Sequence, residues 1–138
     1  MRVHNIFTPL VLIVALAISY SQEKTDAAGN QEQTSSVKEL DAFHELLHPL
    51  VHDAYPNKDF ATIKKALPGL IKGANMMRIA GLPKEFGVKA GKYKKASQKL
   101  IKQLTDLNRK KSKYGDDAFG KKFMEMHDTF ESIMDLVR

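Results

Sequence analysis

Three of the chain's five histidines fall in nine residues, "HELLHPLVH", as His44, His48 and His52. A spacing of four places neighbouring side chains on one flank of a helix. Imidazole is a ligand for zinc, copper, iron and nickel. A second group of ligand types lies near the C-terminus, where His127 and Glu131 are themselves four apart and Met134 follows. A carboxylate can share the same ions, and a thioether adds preference for copper(I) or haem iron. Two helices running in opposite directions bring residues with a constant sum of numbers to one height. His44 with Met134 sums to 178, His48 with Glu131 to 179 and His52 with His127 to 179. This pattern predicts that His48, His52, His127 and Glu131 meet around one zinc or copper ion, with His44 and Met134 as the next rung. The alternative is a row of ordinary half-exposed positions. At 100° per residue, His44 lies about 70°, His48 about 110° and His52 about 150° from the centre of their helix's apolar face. On the last helix Met134 lies about 55° off centre, His127 about 75° and Glu131 about 115° by the same geometry.

The elements that must hold these groups are helical. Apolar residues recur at three and four, and no segment alternates with period two long enough for a strand. The first helix is expected from a capping box at Ser36 and Glu39, with Leu40, Phe43, Leu47, Leu50 and Ala54 inward and a bend at Pro49. The second starts at Asn57 or Asp59 and carries Phe60, Ile63, Leu67, Leu70, Ile71 and Ala74. Pro68-Gly69 should kink it, and Gly81 caps it ahead of Pro83. The third spans roughly 88–111, with Tyr93, Ala96, Leu100, Leu104 and Leu107 inward. The fourth is capped by Asp116 or Asp117. Its Phe119, Phe123, Met126, Phe130, Ile133 and Val137 step by four and three, a heptad seam. Four such helices joined by short connections predict an all-α, up-down-up-down four-helix bundle over residues 36–138.

Ahead of the bundle, residues 1–21 read as a secretory signal. Arg2 gives a basic start, Leu10–Ile18 an uncharged apolar run, and Ser19-Tyr20-Ser21 the small residues of a cleavage site. The run is shorter than the roughly 20 residues that span a bilayer. No cysteine follows it, which excludes a lipoprotein anchor. Residues 22–35, "QEKTDAAGNQEQTS", are too polar to bury a core and are expected to be a disordered leader. The expected location is periplasmic or secreted.

The chain has no cysteine, so disulfides, thiolate chemistry, iron–sulfur clusters and covalent haem attachment are excluded. The formal charge is +6. Ten lysines and arginines against one acid, Asp106, fall between Lys89 and Lys113. Such a helix suits an acidic protein or an anionic membrane surface, or is simply a solvated face. No nucleic-acid-binding motif appears. Neither a nucleophile–base pair, a phosphate loop nor paired catalytic carboxylates is recognisable, so no enzymatic activity is expected.

The export signal, the helix lengths, the segment "KDFATIKKALPGLIKGANMMRIAGLPKE" with its proline exit, and a last helix closing at Arg138 together resemble the periplasmic four-helix-bundle cytochromes of the b and c-prime types. The resemblance covers residues 38–138. In b-type members a first-helix methionine and a last-helix histidine hold a non-covalent haem b. The resemblance implies that role for His44 and Met134, with the two ligand types exchanged. The c-prime type is not matched, because Cys-x-x-Cys-His is missing. "HPLVHDAYP" and "MHDTFE" also resemble a loose group of small exported helical proteins in which recurring histidines suggest metal handling. Two functions follow. One is a metal- or haem-binding bundle for electron transfer, metal buffering or sensing. The other is a cofactor-free interaction module that docks through its basic third helix.

Overall fold

A computed structural model describes residues 37–138. The signal peptide expected over 1–21, the leader expected over 22–35 and Ser36 of the expected capping box lie outside the described residues. Four helices make up the bundle: α1 (Lys38–Pro49), α2 (Phe60–Ala80), α3 (Ala90–Lys110) and α4 (Asp116–Met134). No strand occurs among the described residues. A π-helical turn, Leu50–Ala54, extends α1, and a 3-10 turn, Lys84–Lys89, leads into α3.

Each boundary has a local cause. Pro49 has no N–H to give the preceding turn. The chain does not break there; it widens, and the Tyr55 N–H reaches back five residues to the Leu50 carbonyl at 2.9 Å. Asp59 caps α2, accepting from the Thr62 N–H at 3.1 Å and from the Thr62 hydroxyl at 2.6 Å. α2 continues through Pro68-Gly69 as one helix. Gly81 ends it at φ 67°, a backbone region that favours glycine, with its N–H on the Met77 carbonyl at 3.2 Å. The cap of α4 is Gly115, and the two aspartates expected there sit inside its first turn, where a helix N-terminus favours negative charge.

The core is the inward stripe of each helix. Leu40, Phe43 and Leu47 of α1 meet Ile63, Leu67, Leu70, Ala74 and Met77 of α2. α3 adds Tyr93, Leu100, Leu104 and Leu107, with Ser97 buried in the position expected for Ala96, which is only half-buried. The expected seam of α4, Phe119 to Val137, is buried throughout. A line of rings joins the elements. Phe43 packs on Phe130 at 5.0 Å between centroids, Tyr55 on Phe123 at 6.2 Å and Phe60 on Phe119 at 6.0 Å. Such pairs add roughly 0.5–1.5 kcal/mol each beyond area burial. The Tyr93 hydroxyl donates to the Met77 carbonyl at 3.1 Å and ties α3 to α2 inside the core.

Candidate functional site

His44 and His48 stand one turn apart on α1, their rings edge to face at 5.6 Å. His52 belongs to the π turn. A turn one residue wider resets the phase of the stripe, and the His52 ring lies over His48 at 4.3 Å instead of drifting away from it. His44 and His48 are half-buried, and His52 is exposed. On its inner side His44 stacks on Phe130 of α4, 5.7 Å away with 29° between planes.

His127 is the α4 member of the group. Its side chain is 20% exposed, and Nδ1 is buried with no hydrogen-bond partner. Burial pushes the imidazole pKa below its ordinary value. Glu131 and Asp128 pull it back up, and the charges of His52 and His44 push it down again. His127 therefore lies within electrostatic reach of the α1 stripe and favours the neutral form, the form that binds metals. Its Nε2 stands 3.6 Å from Glu131 Oε1. The other oxygen of Glu131 faces Arg138 at 3.5 Å. Met134 is sealed in the core at 1% exposure.

The arrangement departs from the expected single sphere. Among the described residues, no three histidine, aspartate or glutamate side chains form a group that could hold a metal ion. The contacts sort the four into two pairs, His48 with His52 and His127 with Glu131. His48 faces His52 ring to ring, and Glu131 is divided between His127 and Arg138. His44 and Met134, the pair implied for haem, are separated in environment: one ring rests on Phe130, and the thioether belongs to the core.

Two features went unread in the sequence. His44-Glu45-Leu46-Leu47-His48 has the H-E-x-x-H spacing by which one helix offers two zinc ligands. Glu45, the general base in that pattern, is exposed here. The second is a cleft of about 630 Å³ where the loop after the π turn meets α4, lined by Tyr55, Phe60, Gly120, Met124, Glu125 and Asp128 among others. Gly120 lets the rings come close to α4. A Cβ there would lie 3.1 Å from Phe60 Cε1 and 3.3 Å from Tyr55 Cε2, so a larger residue would oblige the rings to move back by a few tenths of an ångström. A glycine inside the helical run "AFGKKF" was the available signal.

A comparison with protein families, with curated proteins and with solved structures finds no match.

Proposed function

We propose that the protein is an exported, up-down-up-down four-helix bundle that binds a borderline transition-metal ion on the imidazole seam between α1 and α4. Zinc would serve buffering or sensing, and copper would add electron transfer. The ring contacts support the topology: residue numbers rise on one side as they fall on the other, from Phe43–Phe130 through Tyr55–Phe123 to Phe60–Phe119. The hydroxyl of Tyr93 on Met77, with the Lys111 ammonium on the Lys64 carbonyl, has the same sense for α2 and α3.

The observation that carries the metal reading is His127. A half-buried imidazole held toward its neutral form, with an unpartnered Nδ1 and with His52 and His44 acting on its charge, is suited to coordinate an ion. His48 is the natural partner, because it shares i,i+4 spacing with both His44 and His52. Coordination requires the outer rings to turn from facing each other to facing one point. Among the described residues no hydrogen bond of the exposed His52 or the half-buried His48 would resist this turn. Haem b on His44 and Met134 is less well supported, because a haem plate would have to displace Phe130, on which His44 rests.

Titration calorimetry with zinc and with copper at neutral pH tests the reading. Single-site binding should appear and weaken at least about tenfold in His48→Ala and in His127→Ala. Affinity should fall as pH drops through about 6.5, where free imidazole protonates. No heat with either metal would refute the metal site, and a haem-type absorption spectrum from protein purified from its source would establish haem in its place.

A further inference from the structure

Large apolar side chains stand in solvent at one end of the bundle. Met76 is 54% exposed, Ile79 74% and Val88 95%, and all three lie between the last turns of α2 and the 3-10 turn entering α3. That connection has a fixed shape. Gly81 turns the chain, the Phe86 N–H donates to the Pro83 carbonyl at 3.0 Å, and Leu82 and Phe86 pack against the core. Ile79 and Val88 are thus presented on an anchored surface rather than on a loose loop.

Cations follow them along the chain. Residues 78–102 contain seven lysines and one arginine against a single acid, Glu85. Among the described residues none of the eight forms an ion pair, while cations elsewhere in the bundle do, as in Lys64–Asp116 and Arg109–Asp106. Lys89 sits 5.8 Å over the Phe86 ring and carries its charge to the edge of the apolar patch.

We infer that this end of the bundle docks on an anionic phospholipid bilayer, with Ile79 and Val88 entering the boundary between headgroups and acyl chains and the lysines facing lipid phosphates. Stable attachment to a membrane surface takes two signals, an apolar insertion and a basic patch, and both occur here on adjoining residues. The choice of lipid over an acidic protein rests on residue type. Lysine is depleted in protein interfaces, where arginine and large aromatics take its place, and seven of these eight cations are lysine. Lysine stems also lie along apolar surface while their charges stay in water, which suits a headgroup layer. This inference is independent of the imidazole seam.

Co-sedimentation of the full chain with vesicles tests it. Phosphatidylcholine vesicles containing phosphatidylglycerol should bind the protein, and pure phosphatidylcholine vesicles should not. Binding should disappear near 1 M salt, where the Debye length is about 3 Å. Val88→Asp and Ile79→Asp should each weaken it about tenfold through lost apolar burial. Lys84→Gln, Lys92→Gln and Lys95→Gln together should weaken it about a hundredfold, roughly fivefold per charge. All five positions are exposed, so helical circular dichroism should be unchanged in each variant. No sedimentation at low salt, equal binding to both vesicle types, or indifference to the aspartate variants would overturn the inference. Retention on immobilised polyglutamate without vesicle binding would also overturn it and would assign the surface to an acidic protein.

Discussion

Phe130→Ala tests the core and the seam together. The ring is fully buried on α4, packed on Phe43 at 5.0 Å and stacked under His44 at 5.7 Å. A buried phenylalanine removes roughly 150–250 Å² from water, worth about 4–6 kcal/mol at ~25 cal/mol per Å². Alanine keeps part of that, the cavity left behind adds to the loss, and the net cost is about 3–5 kcal/mol. Domains of this size are stable by roughly 5–15 kcal/mol, so the variant should lose a fifth or more of its stability. Urea unfolding followed by circular dichroism is the assay. With a slope of about 1.5 kcal/mol per molar, the midpoint should fall by roughly 2–3 M at constant slope. Phe130→Leu keeps most of the volume and should cost only about 1–1.5 kcal/mol. A double-mutant cycle with Phe43→Leu should show coupling of at least about 0.5 kcal/mol, since the two rings touch. A loss under about 1 kcal/mol for Phe130→Ala, with the slope unchanged, would refute the packing argument for this seam and the placement of His44 against it.

Three further outcomes are expected. Burial raises the Tyr93 phenol to about 12, so the folded chain keeps its proton where the unfolded chain, at about 10, has lost it. Stability should hold below pH 10 and decline by about 2 kcal/mol as pH rises toward 12, and urea midpoints for Tyr93→Phe should lack that part of the decline. The hydroxyl and then the backbone N–H of Thr62 hold the Asp59 carboxyl below 3.8. Its help to α2 is complete above that pH and is lost as pH falls through the lower folded value, so thermal scans of Asp59→Asn, which keeps a cap without the charge, should show a shallower acid limb. Gly120→Leu would drive a side chain into Phe60 and Tyr55 and should cost about 1–3 kcal/mol, measured by urea unfolding, with the two rings displaced from the cleft floor.

What the sequence discloses depends on how local its cause is. The stripe of α4 was legible because burial of Phe119, Phe123, Met126, Phe130, Ile133 and Val137 follows from helical period alone. On α3 the stripe left one position open. Ser97 and Ala96 both stand three or four residues from Tyr93 and Leu100, so period alone does not choose between them, yet the serine is the one that is buried and Ala96 is half-buried. Pro49 was legible as a disturbance but not in its form. A missing N–H can be met by a bend or by a wider turn, and the choice depends on what packs against the next residues. Here Leu50, Val51 and Ala54 all reach the core through the π turn. The imidazole seam shows the same limit one level up. Adding residue numbers across two helices sets a height, but the rotamer at that height is chosen by neighbours on other elements: Phe130 holds His44, Arg138 shares Glu131, and the core takes Met134. Those neighbours also separate the candidate ligands by burial and contact. His44 is braced by a buried ring and His127 by its own burial, while His48 and His52 touch mainly each other at the solvent edge. On the proposed reading, the exposed His52 is the ring an ion from solvent would reach first, and the half-buried His127 one it would reach later. That order makes His127 the residue whose loss should change affinity without changing the fold of α1.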